Sequence, residues 1–113
     1  MSLKNSIKAI PLKSIASSGV SSSYAAINST GLPNGCFLLR IINNSNEDIT
    51  VSYDGSTDNE YVPTMTTLQL PVQSNAQPVN SVAVFPIGTI VYVKGTGGTG
   101  YVYLAGYYQP QGV

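Results

Sequence analysis

The chain has 113 residues, of which 42% are hydrophobic and only 9% charged, and its formal net charge at pH 7 is zero. This length corresponds to one domain, and the absence of net charge gives no indication of binding to nucleic acid or to an anionic membrane. Because most polar residues are uncharged, the surface suits a protein that packs against neighbouring molecules.

The residue types that the chain lacks restrict its chemistry. There is no histidine, so the commonest general base and transition-metal ligand is missing. Cys36 is the single cysteine; it cannot form a disulfide within the chain, and we expect it to be a small buried side chain. No apolar run is long enough for a signal peptide or a membrane-spanning helix. We therefore expect a soluble, non-enzymatic protein without a cofactor, folded in a reducing compartment.

Residues 1 to 23 are predicted to form an N-terminal arm rather than part of the core. A short helical pattern ends at a proline, and a serine-rich, linker-like stretch follows. All five acidic residues fall within residues 47 to 60. Either these acidic residues and the lysines of the arm are simply solvated, or the basic arm of one copy lies on the acidic patch of another copy or of a larger partner. The basic residues of the arm are Lys4, Lys8 and Lys13.

Short alternating segments separated by Gly, Pro and Asn turns predict an all-β domain over residues 24 to 113. Prolines place two of the predicted strands at sheet edges. Seven or eight strands at this spacing are typical of an antiparallel β-sandwich or jelly roll. The predicted strands are residues 24 to 28, 37 to 43, 49 to 53, 61 to 62, 66 to 72 and 81 to 85, and the two halves of residues 88 to 108; residues 109 to 113 are a tail.

Two pairs of consecutive strands are predicted to form hairpins. Residues 37 to 43 pair with residues 49 to 53. The last two strands close through the glycine-rich run at residues 95 to 100, with Lys94 opposite Tyr101. On that register one side of the last hairpin is aliphatic and faces the core. Its members are Val91, Val93, Val102 and Leu104.

The other side of the last predicted hairpin is rich in tyrosine. In the same register Tyr92 shares this side with three tyrosines of the final strand. They could cover a second sheet or the arm, form a protein interface, where tyrosine is enriched, or provide a platform for sugars. The candidate interface residues are therefore Lys4, Lys8, Lys13, Tyr92, Tyr101, Tyr103 and Tyr107.

Asp54, Asp58 and Glu60 are the best metal candidates, because closely spaced acids in a loop with glycine can bind calcium. Their spacing does not match an EF-hand, and the same composition is ordinary turn material. We predict no metal site, with calcium at residues 54 to 60 as the alternative. The run GTGGTG lacks the Lys-Ser/Thr pair of a phosphate-binding loop and is expected to be a loop between strands.

Two segments resemble small β-sandwich structural proteins of tailed bacteriophages. They are IINNSNEDITVSYDGSTDNEYVP and GTIVYVKGTGGTGYVYLAGYY. The resemblance covers roughly residues 35 to 108. It implies a non-catalytic virion component present in many copies, such as a capsid decoration protein, a head fibre or a tail accessory.

The prediction that follows is a capsid-associated decoration or cement subunit. It would be made in the cytoplasm of the bacterial host, assemble as a homo-oligomer, and contact other virion proteins such as the major capsid protein. The first alternative is a tail or head-to-tail connector accessory. The second is a carbohydrate-binding adhesion module that uses the tyrosines of the last hairpin.

Overall fold

A computed structural model describes residues 7 to 71 and 85 to 108. This part of the chain contains nine β-strands, one 3₁₀ turn (Ser17–Gly19) and no α-helix, which confirms the all-β prediction. No helix within it is both long and apolar enough to cross a lipid bilayer. The strands are β1 (Lys8–Ala9), β2 (Lys13–Ala16), β3 (Ala25–Ala26), β4 (Leu38–Ser45), β5 (Ile49–Ser52), β6 (Glu60–Val62), β7 (Thr66–Pro71), β8 (Tyr92–Gly95) and β9 (Gly100–Tyr108).

The strands form two antiparallel sheets. Sheet A has the order β1-β9-β4-β7, and β2 also pairs with β9. Sheet B has the order β3-β8-β5-β6. Within the described residues β6 and β7 each lie at the edge of a sheet, as the prolines near them predicted.

One cluster of buried side chains lies between the sheets. Burial alternates along β4, where Leu39, Ile41 and Asn43 are buried and the residues between them are more exposed. The cluster takes members from both sheets, so the arrangement is consistent with a β-sandwich. Its fully buried members from sheet A include Leu39, Ile41, Val102 and Leu104. Those from sheet B include Ile49, Val51, Val62 and Val93, together with Val91, which directly precedes β8.

Both predicted hairpins are wrong. β8 pairs with β5 in sheet B, whereas β9 pairs with β4 in sheet A. β4 and β5 likewise belong to different sheets. The glycine-rich run at residues 95 to 100 therefore crosses between sheets. The predicted core valines and leucine are nevertheless buried, because alternation specifies the apolar side of a strand but not its neighbour.

Much of the predicted arm belongs to the fold. β1 and β2 both pair with β9, and Ile10 and Val20 lie in the core at 6% and 2% exposure. The prediction of an arm apart from the core is therefore wrong for residues 8 to 20. A polar, serine-rich composition did not prevent this segment from pairing, since every residue except proline carries a backbone donor and acceptor.

Some predicted elements fall outside the described residues. These are residues 1 to 6 with Lys4, the end of the strand at residue 72, the loop after it, most of the strand at residues 81 to 85, and the tail. Phe85 is described, and it forms an antiparallel bridge with Cys36.

Candidate interaction surface

The outer face of sheet A carries three of the four tyrosines that the sequence analysis grouped together. On β9 the residues Val102, Leu104 and Gly106 are buried, so the alternate side chains point away from the core. Tyr101 is 49% exposed. Its ring stacks on that of Tyr103, with 6.1 Å between the ring centroids.

Strand β4 extends this face with two aliphatic side chains and one cation. The register places Ile42 beside Tyr103 and Leu38 beside Tyr107. Arg40 lies between these two rows, opposite Ala105 of β9 and Gln69 of β7. We call this surface the tyrosine face and define it by Leu38, Arg40, Ile42, Tyr101, Tyr103 and Tyr107.

A shallow groove of about 440 Å³ adjoins the tyrosine face. Ile42 and Tyr103 line it, together with Leu12, which precedes β2, and Met65, which precedes β7. Leu12 and Met65 are 60% and 70% exposed. Large apolar side chains exposed next to one another mark surfaces that other molecules cover. Only the packing of β2, β9, β4 and β7 brings these residues together.

Arg40 is the one charged residue of the tyrosine face. Its Nε atom is buried and has no hydrogen-bond partner among the described residues. A buried donor without an acceptor costs free energy, more so when it is charged.

Tyr92 does not belong to the tyrosine face, so the prediction of one shared face is wrong for this residue. It lies on β8 in sheet B, between Ala26 of β3 and Ser52 of β5. Its ring covers Gly55, where an added Cβ would lie 3.4 Å from Tyr92 Cζ. The error comes from the hairpin register, which put β8 and β9 in the same sheet.

Two of the three lysines of the predicted arm lie on β1 and β2, at one edge of sheet A. Lys8 is exposed on β1, and Lys13 is partly buried on β2. Both pair with β9 residues, Tyr108 and Leu104 respectively. Lys4 lies outside the described residues.

Asp48 lies at the outer face of sheet B, against Tyr61. The Tyr61 hydroxyl donates to one carboxylate oxygen at 2.7 Å, and the backbone N–H of Thr64 donates to the other at 2.8 Å. These two bonds favour the ionised form and lower the pKa of Asp48.

Asp58 lies at the same outer face, where it contacts Lys94 of β8. It forms an ion pair with Lys94, with 3.0 Å between Nζ and Oδ1, and it accepts a hydrogen bond from the Tyr24 hydroxyl. Lys94 Nζ also lies 4.8 Å from the centroid of the Tyr24 ring. Burial and then the Asp58 carboxylate raise the pKa of Tyr24 to about 12.

Asp54 closes the turn that follows β5. Its carboxylate accepts from the backbone N–H groups of Ser56 at 2.9 Å and Thr57 at 2.8 Å, and from the Ser52 hydroxyl at 2.8 Å. The two backbone bonds are the main reason that the pKa of Asp54 falls far below its ordinary value of 3.8. In the described part of the chain no three acidic, histidine or cysteine side chains converge to hold a metal ion.

Cys36 is fully buried. Burial raises the pKa of its thiol, which disfavours the reactive thiolate. Its Sγ lies 3.4 Å from the carbonyl oxygen of Asn34. These observations describe a packed core side chain.

No protein-family model matches the chain, and no match was found among curated proteins or solved structures. The resemblance to bacteriophage proteins therefore stays a prediction. The basis for a functional proposal is the surface itself, above all the tyrosine face and its groove.

Proposed function

We propose that the chain is a non-enzymatic structural subunit of a bacteriophage virion. In this proposal it is a capsid-associated decoration, cement or head-fibre subunit that assembles with copies of itself and with other virion proteins. The tyrosine face is the observation that carries the proposal. It combines tyrosine, aliphatic side chains and an arginine, and tyrosine and arginine are enriched at protein interfaces.

A jelly-roll topology is the finer fold that accompanies this proposal. Because β1 and β2 both pair with β9, this topology treats them as one interrupted strand, so that the described residues contribute four strands to each sheet. The first strand then pairs with the last, β3 with β8, β4 with β7, and β5 with β6. Nested pairs of this kind are expected when one long hairpin rolls up into two sheets. Jelly rolls occur in viral capsid proteins and in lectins.

The test is the content of purified virions of the phage that encodes this chain. Quantitative mass spectrometry should find the chain at a copy number comparable with that of the major capsid protein. A copy number far below that would favour the tail or connector alternative. Absence from the particle would contradict both forms of the proposal.

Point substitutions then test the surface. Tyr103→Ser together with Ile42→Ser should reduce incorporation into particles, because both side chains line the groove. Thr30→Ser, in an exposed turn after β3, is the control and should incorporate normally. Deletion of residues 2 to 20 is unsuitable, because it removes β1 and β2 from sheet A.

A carbohydrate-binding module is the second candidate. The stacked, solvent-facing rings of Tyr101 and Tyr103 favour it, since aromatic rings offer the apolar surface on which sugar rings pack. A glycan array should then give signals that Tyr101→Ala and Tyr103→Ala abolish. Binding that survives both substitutions, or no binding at all, would remove this candidate.

A further inference from the structure

The charges of the described residues are divided between the two sheets. Sheet A carries three basic residues and no acidic one, whereas the acidic residues lie in β6 and in the connections before and after β5. One lysine, Lys94 on β8, lies among them and is paired with Asp58. The basic residues of sheet A are Lys8, Lys13 and Arg40; the acidic residues are Glu47, Asp48, Asp54, Asp58 and Glu60.

The outer face of sheet B carries an exposed tyrosine beside two of these acidic residues. Tyr61 is 60% exposed and its hydroxyl donates to Asp48. The Asp58 side chain is 60% exposed even though it is bonded to Tyr24 and Lys94. Asp48 is exposed as well, so both carboxylates remain available to a molecule that lies on the outer face of sheet B.

We infer that the tyrosine face of one copy binds the acidic outer face of sheet B of a second copy. This inference rests on the self-assembly part of the proposed function. The contact brings carboxylates to Arg40, the one charged residue of the tyrosine face, which is partly exposed. It also covers the groove residues Leu12 and Met65, which are exposed in the isolated chain.

Charge also decides against a symmetric contact. If two tyrosine faces met, the two Arg40 side chains would face like charge, and two acidic faces would repel in the same way. A contact between unlike faces leaves one free face of each kind at its ends. Such a contact continues into a ring or an open chain of copies.

Charge-reversal variants test this contact by sedimentation velocity. The sheet A variant carries Arg40→Glu and Gln69→Glu, because Gln69 is exposed on β7 directly opposite Arg40. The sheet B variant carries Asp48→Lys and Asp58→Asn, the latter keeping an acceptor for Tyr24. Thr30→Glu, in an exposed turn, is the matched control for an added charge.

We expect the wild-type chain and the Thr30→Glu control to self-associate, and salt to weaken the association. Each charge variant alone should raise the apparent dissociation constant at least about tenfold. An equimolar mixture of the two variants should recover association, because the reversed faces complement each other. Circular dichroism and thermal melting verify the fold; if Arg40→Glu unfolds the chain, Gln69→Glu alone replaces it.

Three results would overturn the inference. A wild-type chain that stays monomeric at all concentrations has no such contact. A sheet B variant that associates like wild type excludes the acidic face. A mixture that does not recover excludes pairing between the two faces. These outcomes are independent of the virion test, because the chain could be present in particles and yet be monomeric, or associate and yet be absent from particles.

Discussion

The side-chain amide of Asn43 donates to the carbonyl oxygen of Val62 at 3.0 Å and so links β4 of sheet A to the end of β6 in sheet B. The same nitrogen lies 2.9 Å and 3.2 Å from the carbonyl oxygens of Glu47 and Pro63. The Ser45 hydroxyl donates to Asn43 Oδ1 at 2.6 Å. Asn43 is only 1% exposed, so water cannot replace these partners.

Asn43→Leu should therefore be strongly destabilising. The substitution removes the side-chain donor to the carbonyl groups of Val62 and Pro63, which should lower the free energy of unfolding by about 3 kcal/mol. Urea denaturation measures the change. Asn44→Leu, at the exposed neighbouring position, is the matched control and should change stability by less than about 0.5 kcal/mol. Equal losses in the two variants would contradict the assigned role.

Gly100→Ala should destabilise the start of β9. Gly100 has φ of 92°, and an added Cβ would collide with the Asn44 carbonyl oxygen and come within 2.9 Å of Ser45 Cα. We expect a loss of about 1 to 3 kcal/mol, measured as a lower thermal or urea midpoint. Gly19→Ala is the control, because a Cβ there meets nothing within 4 Å; a similar loss in that variant would exclude backbone crowding as the cause.

The acid sensitivity of the fold should depend on Asp54. Because folding lowers the pKa of this carboxylate below 3.8, its contribution to stability is complete above that pH and is lost as the pH falls further. Asp54→Ala should thus be less stable than wild type at pH 7, and the difference should shrink in acid. Urea titrations over a pH series measure it. Glu47→Gln removes an acid of the connection before β5, which takes no part in the Asp54 turn, and a difference of the same size there would contradict the assignment to Asp54.

The Cys36 thiol should react only when the protein opens. The side chain is fully buried and its thiol pKa is raised by burial, so an aromatic disulfide reagent should label native protein slowly and unfolded protein at once. Absorbance of the released thiolate follows the reaction. A Cys36→Ser, Ser23→Cys variant has its thiol at an exposed position and should react rapidly while folded. Fast labelling of native wild-type protein would contradict the burial of Cys36.

Alternation of apolar residues was sufficient to predict which side of several strands faces the core. Val91, Val93, Val102 and Leu104 were predicted as core residues and are all buried. The prolines near β6 and β7 also predicted edge positions, which the sheet order confirms for the described residues. These features are local, because the direction of a side chain and the loss of a backbone donor follow from the strand itself.

Strand partners were not predictable in the same way. β8 and β9 are joined by only a short glycine-rich run, yet they lie in different sheets. The glycine-rich run takes the chain from β8 in sheet B to β9 in sheet A. It contacts the connection between β4 and β5, where the Thr99 N–H donates to Asn46 Oδ1 at 2.9 Å. A hairpin loop and a connection between two sheets both require glycine and small polar residues, so the sequence pattern did not distinguish them.

The candidate surface was accordingly predicted only in part. Alternation along the final strand identified Tyr101, Tyr103 and Tyr107 as outward-facing, but Tyr92 was assigned to them through a pairing that does not exist. Leu12 and Met65 could not be placed beside Tyr103, because no local pattern relates residues so far apart in the chain. The order of residues along each strand thus determined which side chains face the core and which face outward. Which outward side chains are neighbours was determined only by the tertiary structure, because it depends on contacts between strands that are remote in sequence.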